Sequence, residues 1–537
     1  MRLHHSFAAF ALVATLSASA SADVITDWNV IAIDAARVFA NPNPSTRAIA
    51  IGHLAAYDAV NAIDKFGAKY LPGDLAVTLP ASTDAAAIQA FHDALVFAIP
   101  AKTADLDKAA EKALQKLADG PAKTNGIAVG KAAAAALVTA RTNDGAETPV
   151  AYPGEAVLGK WRPTPAGNLA ANTPEWATLK PFALTAANQF DPGPPPALTS
   201  ARYATDLLET QAYGPKTGSV RTADQTDIAN FWAQQTQLPI FQLARTFSKA
   251  RKLSVDENAQ FFGQLSLALA DARIAVWNAK YQYGLWRPVT SINSPLDDGN
   301  PNTTPDPEGD WAPLLETPNH PEYVSGHSAT GAAGAEVLAD WFGDERSFAV
   351  TSETLVGAAY TRSFSRFSDA AQENANSRIY GGIHYRFSNE AGLALGKQVA
   401  HYVITHQLAA FPKDNGGGGG GAGGEAAGGG AGTAGAPDDA PATAGTGGTT
   451  GTTAGATSTA GSAGKSTNSG EAGDTATTEG GAPTGSGGSG AAGKGGKKDS
   501  DGDSGCSIAN VTTSSGWASL ALLLGLAAAL NRRQNRG

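Results

Sequence analysis

The composition of the chain changes abruptly near residue 415, and this change limits where a fold can form. Residues 416–498 consist mainly of Gly, Ala, Thr and Ser with few large apolar side chains. Such a segment buries too little apolar surface to offset its conformational entropy, so we expect a disordered stalk over residues 414–505. Residues 23–413 form a segment of about 390 residues, long enough to bury roughly three quarters of its unfolded surface. We therefore expect the folded domain there.

Both ends of the chain carry targeting patterns. Residues 1–22 have a basic start, an apolar run and an Ala-Ser-Ala ending, which is typical of a secretory signal peptide. Residues 506–537 contain a cysteine, an apolar segment and an arginine pair, and they resemble tripartite bacterial sorting tails with a short transmembrane segment. These patterns predict a protein that is secreted or exported to the cell envelope, with its tail recognised by envelope sorting machinery.

Charge and cysteine content exclude several classes of function. Cys506 is the single cysteine of the chain, so residues 23–413 contain neither a disulfide nor a cysteine-based metal site or thiol catalyst. The net charge is −10, and residues 23–413 contain no run of Lys or Arg. This balance argues against nucleic acid as a partner. We expect small-molecule substrates instead.

Alanine-rich segments with apolar residues every three to four positions predict helices. The clearest segments are residues 24–69, 84–97, 103–117 and 124–141. A later helix begins at the capping box Ser254-Val-Asp-Glu257 and ends near Gly284. A final apolar helix is predicted over residues 390–411, with Ser388 as its N-cap.

These elements predict an all-α fold of two helical bundles packed together. Residues 23–200 would form the first bundle and the loops that wrap it. Residues 201–413 would form the second bundle, which contains the motifs described next.

Three short segments of the second bundle concentrate groups that suit an oxyanion. They are Lys280-Tyr-Gln-Tyr-Gly-Leu-Trp-Arg287-Pro, Ser325-Gly-His and Ser377-Arg-Ile-Tyr-Gly-Gly-Ile-His384. One lysine and two arginines can neutralise roughly three negative charges, and guanidinium forks bind oxyanion edges with paired hydrogen bonds. Ser325 and Gly326 precede a small-residue helix pattern, and the amides of a helix N-terminus favour an anion. The segments therefore predict a site for a phosphate-like anion.

The patterns Lys-x6-Arg-Pro, Ser-Gly-His and Ser-Arg-x5-His occur in this order and within about a hundred residues of each other. Together they resemble the signature shared by vanadium-dependent haloperoxidases and type 2 phosphatidic acid phosphatases. Residues 159–163, 189–197 and 221–232 are also similar to stretches of bacterial haloperoxidases. The resemblance thus covers most of residues 24–410.

The resemblance implies a vanadate cofactor, with phosphate able to occupy the same site. The residues implied to hold its oxygens are Lys280, Arg287, Ser325, Gly326 and Arg378. His384 would bind the vanadium or act as a phosphatase nucleophile, and His327 would be the acid/base residue. Lys280, His327 and His384 are thus the implied catalytic residues, and Trp277 and His320 would lie in the halide pocket.

The activity implied by the resemblance is the oxidation of halide by hydrogen peroxide to hypohalite, which then reacts with an organic acceptor. His320 matches a position held by histidine in bromoperoxidases and by phenylalanine in chloroperoxidases. A polar pocket should disfavour tightly hydrated chloride, so we expect bromide or iodide as the substrate. An imidazole there should also give a pH response between about 5 and 8.

Two departures from the signature leave other functions open. Val324 replaces the usual proline before Ser-Gly-His, and Ser388 replaces the aspartate that phosphatases place four residues after the last histidine. The second change weakens the case for a nucleophilic histidine activated by a carboxylate.

The first alternative is an acid phosphatase that forms a phosphohistidine and hydrolyses a phosphomonoester. A second is a non-catalytic surface protein that binds phosphate. A zinc site is a third alternative, formed by His320, His327 and His384. It is disfavoured because a lysine and two arginines would repel a cation.

Overall fold

The computed structural model describes residues 23–294, 298–303, 309–352 and 361–409, which fall in one compact unit. The expected signal peptide, stalk and sorting tail lie outside the described residues. No helix within these ranges is both long and apolar enough to cross a membrane.

Five helices form the first bundle, and alanine and glycine allow them to pack closely. They are α1 (Val24–Ala36), α2 (Pro42–Asp64), α3 (Thr83–Ala98), α4 (Thr103–Leu114) and α5 (Pro121–Arg141). Gly130 of α5 meets α3 so closely that a Cβ there would lie 2.4 Å from the carbonyl oxygen of Ala86. Small residues therefore set the distance between these two helices.

The segment between the bundles is irregular apart from the short 3-10 turn Pro174–Ala177. It is anchored to the second bundle by backbone hydrogen bonds, from Trp161 to Gly284 (2.7 Å) and from Asn172 to Asn319 (2.8 Å). The wrapping loops are thus part of the fold.

The second bundle contains eight helices in the described ranges. They are α6 (Ala201–Tyr213), α7 (Ala223–Phe231), α8 (Gln237–Arg251), α9 (Val255–Tyr283), α10 (Pro288–Ile292), α11 (Gly326–Phe342), α12 (Phe367–Tyr380) and α13 (Arg386–His406). Between α11 and α12, β1 (Glu345–Thr351) pairs antiparallel with β2 (Thr361–Arg366), with Phe348 opposite Phe364. The fold is therefore all-α apart from one small hairpin that the sequence reading did not predict.

Helix α9 connects the two bundles, because it packs on α2 as well as on α11 and α13. It begins at the predicted capping box, in which Ser254 and Glu257 each accept a backbone hydrogen bond. It ends at Gly284, which has a left-handed conformation with φ of 61°. Both predicted ends of this helix are confirmed.

The predicted start of the last helix is wrong. Helix α13 begins at Arg386 with Tyr385 as its N-cap, and Ser388 is a buried residue of its first turn. Distant carboxylates accept hydrogen bonds from the backbone here: Glu322 from the amide of Tyr385 and Asp206 from the amide of Phe387. Because tertiary contacts satisfy these amides, the helix needs no local serine cap.

Candidate active site

A cavity of about 290 Å³ lies at the centre of the three predicted segments. Six residues singled out from the sequence line it: Trp277, His320, Gly326, His327, Arg378 and His384. Asn41 and Pro42 of the first bundle and Asn172 of the wrapping loop close the other side. The remaining predicted residues, Lys280, Arg287 and Ser325, lie fully buried behind the wall.

Lys280 fixes the loop that leads into α11. It projects from the last turn of α9, and its Nζ donates hydrogen bonds to the carbonyl oxygens of Pro321 (2.9 Å) and Glu322 (2.7 Å). Burial, followed by the charge of Arg287, holds the pKa of Lys280 well below its usual value. The side chain thus holds the loop that precedes the predicted anion-binding segment.

Arg287 joins the loop before Ser325 to the third segment. Its Nε donates to the carbonyl oxygen of His320 (2.8 Å) and its Nη1 to that of Ile383 (2.8 Å). Its Nη1 also lies 3.3 Å from Nε2 of His384, and its Nη2 lies 2.9 Å from Nδ1 of His320. The guanidinium therefore places a positive charge against both imidazoles.

Arg378 has an unused donor. It projects from α12 into the cavity wall, and its Nη1 donates to the carbonyl oxygen of Trp232 (2.9 Å). Its Nε is buried and has no hydrogen-bond partner among the described residues. Burial lowers the pKa of Arg378 to about 9, which leaves it protonated at neutral pH. A buried donor without a partner is costly unless a ligand accepts from it.

The predicted helix N-terminus is also present. Ser325 is the N-cap of α11, and its hydroxyl accepts a 2.8 Å hydrogen bond from the hydroxyl of Ser328. Gly326 is the first residue of the helix. A Cβ on Gly326 would lie at an ordinary contact distance, 3.5 Å, from Cζ3 of Trp277. Packing within the protein therefore does not require glycine at this position.

His384 is held by a carboxylate that the sequence reading missed. Oε1 of Glu322 lies 2.6 Å from Nδ1 of His384, and both side chains are buried. Burial raises the pKa of Glu322 to about 7, a rise that the charges of Lys280 and Arg287 oppose. Nη1 of Arg287 can only donate, and it lies 3.3 Å from Nε2 of His384, so Nε2 is unprotonated and Nδ1 carries the proton that faces Glu322.

The pKa of His384 is held well below its usual value, first by burial and then by the charges of Arg287 and Lys280. The imidazole is therefore neutral, with a lone pair on Nε2. The only sequence signal for its partner was an acidic residue within an apolar stretch beside Ser-Gly-His.

His327 has the opposite tautomer. Its Nε2 lies 3.1 Å from the carbonyl oxygen of Gln234, which can only accept. The neutral ring therefore carries its proton on Nε2, and Nδ1 is the basic nitrogen. Burial, and then the charges of Arg378 and Arg273, hold its pKa well below the usual value.

His320 and Trp277 lie side by side, with ring centroids 4.9 Å apart. Burial, followed by the charges of Arg287 and Lys280, holds the pKa of His320 well below its usual value. This lowered pKa argues against the expected titration of His320 between about pH 5 and 8. Cations next to a buried imidazole disfavour its protonated form.

Arg273 is a fourth cation in the cavity wall, and the sequence reading missed it. Only 3% of the residue is exposed, and burial lowers its pKa to about 9. A signal was present, since Arg273 precedes Trp277 by four residues and Lys280 by seven on α9, which places all three on one helix face.

The zinc alternative finds no support in the described ranges. No group of three or more His, Cys, Asp and Glu side chains is placed there to hold a metal ion. Arg287 instead lies against both His320 and His384. The site can bind an oxyanion and supply one imidazole lone pair to its central atom.

Comparison with known proteins agrees with this chemistry. Residues 260–412 match the family model of the VCPO second helical-bundle domain. The chain is 26% identical over 202 residues to vanadium chloroperoxidase of Curvularia inaequalis, in a match that covers 28% of this chain and 32% of that relative. The match thus spans about a third of the length of the curated relative.

Two solved structures extend the similarity to most of the chain. The first bacterial vanadium-dependent iodoperoxidase is 27% identical with a TM-score of 0.63, over 72% of this chain and 98% of its own. The apo form of a bacterial vanadium-dependent chloroperoxidase has a TM-score of 0.54 over 67% and 92% of the two chains. At 17% identity the latter shows only the shared fold. These matches relate residues 260–412 to the second helical-bundle domain of a vanadium chloroperoxidase, and they relate most of the chain to the structures of vanadium-dependent haloperoxidases.

Proposed function

We propose that this chain is a vanadate-dependent haloperoxidase that oxidises iodide and bromide with hydrogen peroxide. The observation that carries the proposal is the buried Nε of Arg378, which has no hydrogen-bond partner in the described part of the chain. The same cavity wall presents the unprotonated Nε2 of His384. An oxyanion would satisfy the donor and offset the buried positive charge.

Vanadate fits this set of residues. Lys280, Arg287 and Arg378 balance its charge, and the amide end of α11 at Ser325 and Gly326 favours an anion. Bound vanadate supplies a Lewis-acidic centre that activates hydrogen peroxide.

His384 is the proposed ligand to the central atom. Glu322 accepts a hydrogen bond from Nδ1 of His384. The lone pair on Nε2 of His384 then faces the guanidinium of Arg287. A carboxylate behind a ligating imidazole fixes its tautomer and raises its basicity. Glu322 therefore has a positioning role in this proposal.

His327 is the proposed acid/base residue. Gln234 fixes its tautomer, so Nδ1 can accept a proton from peroxide and later return it. The overall reaction converts halide, hydrogen peroxide and one proton to hypohalous acid and water. The halide loses two electrons, and these break the bond between the peroxide oxygens.

The preference for iodide and bromide is supported by the pocket and by similarity. His320 places a polar ring beside Trp277, where an apolar ring would better suit a desolvated chloride ion. The similar bacterial iodoperoxidase, at 27% identity, belongs to the same class of enzyme.

A phosphatase remains the second candidate, and one contact favours it. Ser388 stands where the phosphatase signature has an aspartate. However, the carboxylate of Glu322, from another segment, lies 2.6 Å from Nδ1 of His384. A nucleophilic histidine needs such an orienting group. The same pocket would then hydrolyse a phosphomonoester, with His327 protonating the leaving group.

Turnover separates these functions. The purified chain, freed of oxyanions, is assayed for peroxide-dependent bromination of an organic acceptor with and without vanadate, and for hydrolysis of an aryl phosphate. We expect bromination only with vanadate, its loss in His384→Ala, and its retention in His401→Ala, which removes an exposed histidine.

Phosphate hydrolysis without any bromination would favour the phosphatase. The absence of both activities, together with tight phosphate binding, would support a non-catalytic surface protein.

We also propose export to the cell envelope, from the sequence patterns at both ends. Deleting residues 506–537 should change the location of the protein and leave turnover unchanged, as measured by cell fractionation and assay. A deletion variant distributed like the full chain would contradict a sorting role.

A further inference from the structure

We propose that Arg273 forms a second anion subsite, which binds the halide beside the oxyanion site. The inference rests on the proposed function, because it assigns one of that reaction's substrates to a specific side chain. It concerns a residue outside the three signature segments.

The first observation is a buried positive charge without a counter-charge. Nε of Arg273 donates to Oδ1 of Asn43 (2.6 Å) and Nη1 donates to Oγ1 of Thr330 (3.2 Å), which are both neutral oxygens. Within the described ranges no carboxylate pairs with Arg273, and its Nη2 makes no hydrogen bond. Buried charges are ordinarily paired, so an anion from outside the chain is the partner that this arrangement lacks.

The second observation is the position of this charge. Arg273 lines the same cavity as His327, Arg378 and His384. Trp277 adjoins both Arg273 and His320, since its ring centroid lies 5.0 Å from Cζ of Arg273 and 4.9 Å from the ring centroid of His320. An anion at Arg273 would therefore share the cavity with the oxyanion site.

The chemistry of the subsite suits a large monovalent anion. Cζ of Arg273 lies 5.0 Å from the ring centroid of Trp277, so an aromatic face adjoins the charge. Two of the guanidinium nitrogens of Arg273 already donate hydrogen bonds within the protein. Fewer N–H groups are therefore free for the paired hydrogen bonds that a tetrahedral oxyanion prefers. A weakly hydrated guanidinium beside an aromatic ring matches weakly hydrated iodide and bromide better than chloride.

Arg273→Gln tests the subsite by removing the charge while retaining a polar side chain. Arg273→Lys keeps the charge and loses the planar fork. Thr330→Val is the matched control, since it removes the neutral hydrogen-bond partner and leaves the arginine in place. Circular dichroism and phosphate affinity establish that each variant keeps its fold and its oxyanion site.

Two measurements follow on the full chain. Bromide anomalous scattering from crystals soaked in bromide, without vanadate, locates the halide directly. Steady-state kinetics with vanadate then give KM for bromide. We expect a bromide ion at Arg273 in the native protein and its absence in Arg273→Gln. KM should rise about 10- to 100-fold in Arg273→Gln, as for the loss of a charged hydrogen-bonding partner, and change little in Thr330→Val.

The outcomes separate this inference from the proposed function. Bromide at Arg273 in a chain without bromination activity would retain the subsite and refute the haloperoxidase. Normal bromination with an unchanged bromide KM in Arg273→Gln would overturn the subsite alone. A loss of phosphate affinity in Arg273→Gln, with unchanged bromide KM, would assign Arg273 to the oxyanion site and also overturn the inference. If Arg273→Gln does not fold, the bromide position in the native protein and the kinetics of Arg273→Lys decide. The inference predicts bromide at Arg273 and a KM for bromide that rises less than tenfold in Arg273→Lys. Bromide bound elsewhere would overturn it.

Discussion

Replacing Glu322 with glutamine tests how the chain orients its central histidine. Oε1 of Glu322 accepts the 2.6 Å hydrogen bond from His384 and a 3.0 Å bond from the amide of Tyr385. The amide oxygen of glutamine can accept both bonds, so Glu322→Gln removes the negative charge and preserves the shape. The variant therefore isolates the electrostatic contribution of the carboxylate.

The expected magnitude follows from that hydrogen bond. Hydrogen bonds to charged groups contribute about 1.5–3 kcal/mol, which corresponds to roughly 10- to 150-fold in an equilibrium constant. Losses of outer-shell partners of metal-ligating histidines lie in a similar range, about 10- to 100-fold. We expect Glu322→Gln to weaken vanadate binding, measured by equilibrium titration, by about 10- to 100-fold.

A second substitution distinguishes positioning from general destabilisation. Ser388 is fully buried, and its side chain helps to lower the pKa of Glu322. The two side chains are thus neighbours. The double variant Glu322→Gln/Ser388→Asp introduces a carboxylate next to residue 322, the partner of His384, and we expect it to recover at least part of the lost affinity.

The matched control is Glu390→Gln, which removes an exposed carboxylate that pairs with Arg202. It should leave vanadate binding unchanged. Unchanged vanadate affinity in Glu322→Gln would refute the reasoning, and so would an equal loss in both variants.

Three further predictions follow from the same geometry and burial. His327→Ala should lower turnover by about 10²- to 10⁴-fold, with a smaller change in vanadate affinity, as measured by steady-state kinetics and titration. His320→Phe should raise the ratio of chloride to bromide oxidation, and an unchanged ratio would remove His320 from halide selection. Burial lowers the pKa of His53 to about 3, below its unfolded value of about 6.5, so the unfolded chain binds the extra proton as pH falls. Between about pH 6.5 and 3 this residue should reduce the free energy of unfolding by about 1.4 kcal/mol per pH unit as the pH falls. Denaturant titrations of His53→Gln should therefore show a shallower pH dependence.

Local patterns predicted those parts of the fold that local interactions determine. The capping box at Ser254 and the left-handed Gly284 satisfy the ends of α9 within a few residues of sequence. The start of α13 was not predictable in this way, because Glu322 and Asp206 reach its backbone amides from distant segments. The hairpin of β1 and β2 was also missed, since its two strands are short and a single Phe348–Phe364 pair is a weak signal.

The site shows the same division. Spacing predicted that the three signature segments converge, and the structure places their imidazoles and Arg378 on one cavity. Glu322 and Arg273 were missed because their importance depends on burial and on the lack of other partners. Burial and the lack of partners cannot be read from the sequence. The helical spacing between Arg273 and Lys280 can be.

The most direct test of the central claim is a crystal structure of the chain soaked with vanadate. The account predicts a vanadium atom bonded to Nε2 of His384, with oxygens contacting Arg378 and the amide end of α11. Vanadium bound elsewhere, or a cavity that stays free of vanadium at saturating vanadate, would contradict it.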